Sequence, residues 1–181
     1  YHFNPDGGHP DRGAGQGVPR LEHVLRRYPT MPVIIEVKGD TVETALRVLA
    51  VVRAAEALAR VVIGGFSHAV LMAVRREEPR LPTSASRDEV RSAVRRARFR
   101  LAPRRSGFAV LQAPFRFRGK QIFGRPFVRA ATRAGVPVHA WIVDDPGDMR
   151  LLLDWGVTGL ISDRPDTAME VTRNWSRLGS P

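Results

Sequence analysis

Glu36 and Lys38 are the first side chains in this sequence whose types and spacing suggest chemistry. Both follow the apolar run Val33–Ile35, and one residue separates them. Because side chains alternate between the two faces of a β-strand, the carboxylate and the ammonium group share a face. A carboxylate can bind a hard cation, and an ammonium group beside it can hold a phosphate. A structural ion pair at the end of a strand is the alternative, and spacing alone leaves both open.

Lysine usage is a second indication at this position. Lys38 and Lys120 are the only lysines in a chain that otherwise uses arginine for its basic side chains. Lysine presents a compact point charge, whereas arginine presents a planar fork of donors. A lysine kept at position 38 therefore favours a site that needs a point charge.

Two later strand ends carry side chains of interest. Trp141 shares a face with His139 near the end of a predicted strand, where it could wall a pocket and exclude water or simply pack in the core. Asp163 follows the last predicted strand, a position that equally suits a helix N-cap. The pair Gly64 and Gly65 ends another strand and could bring backbone N–H groups close to an anion.

From residue 33 onward, short apolar runs alternate with longer amphipathic segments. About six β/α units in succession predict an α/β fold with a parallel sheet and right-handed crossovers. Ser86 with Glu89, and Asp40 with Glu43, have the spacing of helix capping boxes. A doubly wound sheet and a closed (β/α)8 barrel both fit the pattern. The predicted strands are Val33–Val37, Val61–Phe66, Leu81–Ser84, Phe108–Gln112, Pro137–Val143 and Thr158–Ser162.

The length of the chain limits the barrel interpretation. A (β/α)8 barrel typically needs about 250 residues and eight strands, so 181 residues with about six strands fall short by two. Residues 1–19 are rich in Gly, Pro and Asp and predict a loop or an insertion rather than a strand. We therefore expect the two missing strands to be the first two of the barrel. The chain begins with Tyr1 rather than Met, so a preceding targeting segment stays open.

Composition excludes several classes of protein. With 181 residues, 43% of them hydrophobic, the chain suits one globular domain, and the lack of cysteine excludes disulfides and thiolate metal sites. No run reaches the roughly 18 apolar residues of a membrane span. A net charge of +11 is typical of nucleic-acid binders, but even the densest cluster, Arg91–Arg105, has no recognisable binding motif. We therefore interpret the arginines as side chains on the solvated faces of helices. Separately, we expect a cytoplasmic location, and secretion stays open.

Taken together, the motifs resemble those of the glycerophosphodiester phosphodiesterase family. Val18–Leu25 resembles the family's IPTLEEVL helix, and Ile35–Lys38 resembles its IELK strand. Trp141–Asp144 resembles WTVN, and Gly156–Pro165 resembles GVDGIITDxP. Weaker matches are Tyr1–Gly13 to the tail of the family's small insertion domain, Gly65–Ser67 to its SF segment and Leu111–Pro114 to a later strand.

The resemblance implies a TIM (β/α)8 barrel of the phospholipase C-like phosphodiesterase type, incomplete here because the first two strands are missing. Residues 1–19 would be the tail of the insertion, 20–175 a partial barrel and 176–181 a C-terminal tail. The implied activity, part of lipid and glycerol metabolism, is hydrolysis of glycerophosphodiesters to an alcohol and sn-glycerol 3-phosphate. The implied cofactor is a divalent cation, Mg²⁺ or Ca²⁺.

The resemblance also implies roles for individual residues. By motif match, Glu36 takes the place of the third metal ligand, Lys38 that of a phosphate-binding lysine and Trp141 that of the pocket tryptophan. Phe66 joins them as a substrate-binding candidate. Gln112 and Asp163 are further candidates.

The family's two catalytic histidines, its general acid and base, are expected upstream of Tyr1, so we expect the fragment itself to be inactive. We expect none of the histidines present to be catalytic. They are His2, His9, His23, His68 and His139.

Three alternatives stay open at this point. The chain could come from a catalytically dead family member that serves as a binding module, or from a related barrel phospholipase. A basic nucleic-acid-binding protein is favoured only by the charge. We expect a small-molecule glycerophosphodiester as the partner and no specific nucleic acid; the head group and the oligomeric state stay open.

Overall fold

The computed structural model describes residues 17–104 and 106–177. His2, His9 and most of the predicted tails, 1–19 and 176–181, lie outside the described residues. The helices are α1 (Leu21–Arg27), α2 (Val42–Ala54), α3 (His68–Glu77), α4 (Arg87–Ala97), α5 (Arg125–Arg133), α6 (Pro146–Trp155) and α7 (Pro165–Arg177). The strands are β1 (Val33–Val37), β2 (Val61–Gly65), β3 (Leu111–Pro114), β4 (Arg116–Phe117), β5 (Lys120–Gln121), β6 (Val138–Trp141) and β7 (Gly159–Leu160).

The parallel strands neighbour one another in chain order. β1 pairs with β2, β3 with β6 and β6 with β7, all in parallel. Between β2 and β3, single parallel bridges join Ile63 to Thr83 and Ser84 to Val110. β4 and β5 form a separate antiparallel hairpin directly after β3. A doubly wound sheet reverses its strand order at a switch point, and the described strands show no such reversal. The α/β fold with parallel strands is therefore confirmed.

β1 has the predicted bounds, whereas the later strands are shorter than predicted, and the segment Leu81–Ser84 departs most. Instead of a strand it forms only the two bridges at Thr83 and Ser84. The carbonyl oxygen of Ser84 accepts a hydrogen bond from Arg75 Nη2 at 2.9 Å, so a side chain takes the place of a strand partner. The predicted strand Thr158–Ser162 is reduced to the two residues of β7.

Two predicted capping boxes have different outcomes. At α4, Ser86 Oγ accepts from the Glu89 N–H at 3.4 Å and Glu89 Oε2 accepts from the Ser86 N–H at 2.7 Å, so this box is confirmed. The box predicted to begin at Asp40 is wrong. Helix α2 has Thr41 at its N-cap, whose hydroxyl contacts that of Thr44 at 2.7 Å.

The helices cover one face of the strands, and the apolar core lies between the two. In β1, Val37 is 5% exposed and packs in this core, whereas Ile34 is 43% exposed and lies on the opposite face. We call this opposite face the inner face. Along β3 and β6 buried and half-buried residues alternate in the same way. Among the described helices, none is long and apolar enough to cross a membrane.

Candidate active site

A contiguous row of side chains crosses the inner face, and we call it the inner row. Its members are Ile34, Ser84, Gln112 and His139. A Cβ placed on Gly64 would lie 3.1 Å from Gln112 Oε1, 3.6 Å from Ser84 Oγ and 3.9 Å from a methyl group of Ile34. Gln112 Nε2 lies 3.4 Å from Nδ1 of His139, on the next strand. Glycine at position 64 therefore leaves the space that the Gln112 amide occupies.

His139 lies half-buried within this row. Burial lowers its pKa below the usual value, because the imidazolium form loses hydration inside the protein. With the Gln112 amide nitrogen as donor, Nδ1 accepts and the proton is on Nε2. This environment supports a positional role for the ring, and our prediction that His139 is not catalytic stays a prediction.

Glu36 and Lys38 leave the end of β1 as an ion pair. Lys38 Nζ lies 2.9 Å from Glu36 Oε2, and the two side chains are 62% and 39% exposed. Exposed ion pairs of this kind contribute only about 0–1 kcal/mol to stability. The pair can therefore open at little cost when a ligand competes for either group.

Phe66 connects this ion pair to Trp141. The Phe66 ring, at the end of β2, lies 5.9 Å from Lys38 Nζ and 5.9 Å from the Trp141 ring, centroid to centroid. Both distances fall within the range of cation–π and aromatic contacts. Four side chains lie at, or just beyond, the carboxyl ends of parallel strands, and we call them the mouth cluster. They are Glu36, Lys38, Phe66 and Trp141. Substrates of parallel α/β proteins bind at this end of the strands.

Gln112 and Asp163 make their contacts elsewhere. Gln112 contacts His139 in the inner row, and the backbone N–H of Asp163 donates to Asp144 Oδ1 at 2.9 Å. The same carboxylate oxygen of Asp144 accepts from the Ser162 hydroxyl at 2.8 Å. The N-cap of α7 is Arg164 and not Asp163. Arg164 directly precedes Pro165, and the Arg164 carbonyl accepts the first helical hydrogen bond. The Asp144 contacts instead fix the loop that follows β7.

The described residues do not form a divalent-cation site by themselves. Within 17–104 and 106–177, no group of three or more His, Cys, Asp or Glu side chains is arranged to hold a metal ion. Glu36 is one carboxylate, and hard cations such as Mg²⁺ and Ca²⁺ take six or more oxygen ligands, roughly, including waters. The structure therefore provides one candidate ligand rather than a metal centre.

Arg87, which was not among the residues predicted from the sequence, also contacts the mouth cluster. Its guanidinium carbon lies 4.9 Å from the centroid of the Phe66 ring. Arg87 is the first residue of α4, and its backbone N–H donates to the Phe66 carbonyl at 3.1 Å. The sequence signal was its place directly after the capping residue Ser86, shortly after the end of the third predicted strand.

Comparison with known proteins identifies the relatives of this chain. Residues 18–167 match the Glycerophosphoryl diester phosphodiesterase family. A Mycobacterium tuberculosis protein named "Probable glycerophosphodiester phosphodiesterase 2" is 33% identical over 169 residues, which cover 88% of this chain and 61% of that protein.

Solved structures share the fold. The crystal structure of a glycerophosphodiester phosphodiesterase from Parabacteroides distasonis superimposes with a TM-score of 0.68 at 20% identity, covering 87% of this chain and 65% of the other. A phosphodiesterase from Oleispira antarctica, in complex with the product sn-glycerol-3-phosphate, gives a TM-score of 0.60 at 17% identity, covering 83% and 58%.

The chain thus spans about three fifths of the length of the relatives it matches. The sequence match extends over residues 18–167 and includes the whole mouth cluster. The chain belongs to the glycerophosphoryl diester phosphodiesterase family.

Proposed function

We propose that the full-length protein hydrolyses glycerophosphodiesters to an alcohol and sn-glycerol 3-phosphate. The observation that carries the proposal is the mouth cluster, which places a carboxylate, an ammonium group and two aromatic rings at one end of the strands. The product bound to the Oleispira antarctica relative has the chemistry that such a cluster suits. Family membership supports the same reaction class.

In this proposal, each member of the mouth cluster has a separate role. Lys38 neutralises a phosphate oxygen, while Phe66 and Trp141 wall the pocket and exclude water from it. Glu36, which pairs with Lys38 in the structure, would be one ligand of a divalent cation, Mg²⁺ or Ca²⁺. The remaining ligands, and the histidines that act as general acid and base, lie outside the described residues.

We also propose that the described β/α units are part of a (β/α)8 barrel. β1 pairs only with β2 and β7 only with β6 among the described strands, so two strand edges are open. Ile34 is 43% exposed on the inner face, although barrel interiors are packed with such side chains. A groove of about 280 Å³ follows β7 and includes Leu160 and Met169 in its wall. Two further strands between β1 and β7 would cover these surfaces.

The barrel proposal predicts different behaviour for residues 1–181 alone and for the full-length protein. Exposed apolar surface binds the dye ANS and promotes aggregation. We therefore expect residues 1–181 to bind ANS strongly and to lack phosphodiesterase activity, while the full-length protein binds little dye and is active. Full activity and weak ANS binding in residues 1–181 alone would contradict the incomplete barrel.

Substitution of Glu36 and Lys38 in the full-length protein tests the roles at the site. Glu36→Gln keeps the size of the side chain but removes the charge, so turnover should fall by roughly two orders of magnitude or more and the metal requirement should rise. Lys38→Ala should act mainly on KM, because a charge that contacts phosphate before and during the reaction contributes uniform binding. The measurement is initial rate against substrate and metal concentration.

A matched control is Glu22→Gln, which removes an exposed carboxylate paired with Arg26 at 2.8 Å on α1. It should change neither rate nor metal dependence. If Glu36 and Lys38 form only a structural pair, both substitutions should cost about 1 kcal/mol or less in stability and leave activity unchanged. A folded Glu36→Gln protein with unaltered metal-dependent turnover would refute the assignment.

A further inference from the structure

Arg87 reaches the mouth cluster from a different β/α unit than Lys38 does. Its guanidinium carbon lies 4.9 Å from the Phe66 centroid, and Lys38 Nζ lies 5.9 Å from the same centroid. Phe66 is 42% exposed, so one face of this arrangement is open to solvent. The hydrogen bond from the Arg87 N–H to the Phe66 carbonyl, 3.1 Å long, fixes the two backbones together. The backbone of Arg87 is therefore fixed beside the mouth cluster, and its exposed side chain contacts the Phe66 ring.

The guanidinium of Arg87 keeps its hydrogen-bonding edge available. Among the described residues, no carboxylate lies within ion-pair distance of it. The acidic neighbours in its own helix are engaged elsewhere, since Glu89 pairs with Arg75 at 2.9 Å and Asp88 lies 3.8 Å from Arg91. Stacking on an aromatic ring uses the flat face of a guanidinium, and its N–H groups point outward in the plane. Such an edge suits a carboxylate or a phosphate.

Among the described residues that these contacts bring together at Phe66, positive charge exceeds negative charge. Lys38 and Arg87 contribute two positive charges, whereas Glu36 contributes one negative charge. Two cations on one ring repel each other, and an anion bound beside them removes this repulsion. A phosphodiester carries a single negative charge, which the Lys38 role already matches. A second anionic group on the substrate would give the second cation a partner of its own.

We propose that Arg87 is a specificity-determining residue that binds an anionic group on the alcohol portion of the substrate. The preferred substrates are then glycerophosphodiesters whose alcohol is negatively charged. This inference rests on the function proposed above and adds the substrate class to it.

The test is a comparison of kcat/KM for three substrates with the full-length protein. Glycerophosphoinositol 4-phosphate, glycerophosphoinositol and glycerophosphocholine carry an anionic, a neutral and a cationic alcohol. Wild-type protein should prefer them in that order. Arg87→Ala should lower kcat/KM for the anionic substrate by about tenfold or more and change the choline substrate by about twofold or less, as expected for loss of one charge-assisted contact. Arg87→Lys should be intermediate, because it keeps the charge but loses the planar fork.

Arg91→Ala is the matched control, since Arg91 lies one turn further along α4 and its side chain is 68% exposed. It removes the same charge from the same helix and should leave the substrate order unchanged. A thermal melt of each variant shows whether it is folded. Equal losses on all three substrates, or no loss on the anionic one, would overturn the inference while leaving the proposed function standing. Wild-type protein that hydrolyses none of the three would overturn the proposed function as well.

Discussion

Glu89 forms the least exposed ion pair among the described residues, and its contribution to stability can be worked out from its contacts. Its side chain is 10% exposed and that of its partner Arg75 is 8% exposed. Arg75 Nη1 lies 2.9 Å from one carboxylate oxygen, and Nη2 lies 3.2 Å from the other. The Ser86 N–H donates at 2.7 Å and the Ser106 hydroxyl donates as well. The carboxylate thus connects α3, α4 and the loop that precedes β3.

These contacts determine the direction in which the pKa of Glu89 moves. Burial on its own raises the pKa, but the hydrogen bonds from Arg75, Ser106 and Ser86 outweigh burial and lower it from 4.5 to about 2. At 1.36 kcal/mol per pKa unit, this change corresponds to roughly 3 kcal/mol of stability. Because the pKa is lower in the folded protein, the contribution is complete above about pH 5 and is lost as the pH falls toward 2.

Glu89→Gln should therefore lower the free energy of unfolding by about 3 kcal/mol at pH 7. The substitution acts in the same direction on Arg75, because it leaves that charge buried without a counter-charge. At pH 3 the difference between wild type and variant should shrink to roughly half, because the unfolded carboxyl is then protonated. Urea unfolding of the full-length protein at pH 7, 5, 4 and 3 measures both quantities.

Glu43→Gln serves as the control, because Glu43 pairs with Arg47 at 2.7 Å but both side chains are more than 70% exposed, at 74% and 79%. Its loss should stay within about 0.5 kcal/mol at every pH. The reasoning fails if the two substitutions cost the same at pH 7. It also fails if the cost of Glu89→Gln does not change between pH 7 and pH 3.

Two further predictions concern the inner row and the surface charge. A Cβ at position 159 would lie 2.5–3.0 Å from three atoms of the His139 ring, so Gly159→Ala should destabilise the protein by about 1–3 kcal/mol in urea unfolding. Gly17→Ala, where a Cβ meets nothing within 4 Å, is the control, and equal effects would refute the crowding argument. The net charge of +11 should support only non-specific nucleic-acid binding, with affinity that falls steeply with salt and no sequence preference. Fluorescence anisotropy with unrelated oligonucleotides at several salt concentrations measures this, and a strong preference for one sequence would contradict it.

Features that depend on local chemistry could be read from the sequence. The capping box of Ser86 and Glu89 is present with both of its hydrogen bonds. Gly156 ends α6 in the left-handed conformation, at a φ of 93° that few residues other than glycine adopt. Such signals lie within a few residues of one another. Tertiary contacts therefore have little opportunity to override them.

Features that depend on distant partners could not be read in this way. The segment Leu81–Ser84 was predicted as a strand, but Arg75 donates to Thr83 Oγ1 at 2.8 Å and to the Ser84 carbonyl at 2.9 Å. A side chain from α3 thus replaces part of the strand pairing. The spacing of residues within the segment cannot predict a hydrogen bond from an arginine eight residues earlier in the chain.

The same distinction explains why Lys38 was identified from the sequence and Arg87 was not. Lys38 follows a long, regular strand, so the alternation of side chains placed it on the same face as Glu36. Arg87 follows the irregular third segment, where alternation gives no direction, and it is one of many arginines in the chain. Arg87 is itself exposed, and the contact with Phe66, which belongs to the preceding unit, was needed to select it. Arg116 and Arg118 also lie over phenylalanine rings, so stacking alone does not distinguish Arg87. What distinguishes it is that Phe66 belongs to the mouth cluster, and that information comes from the fold.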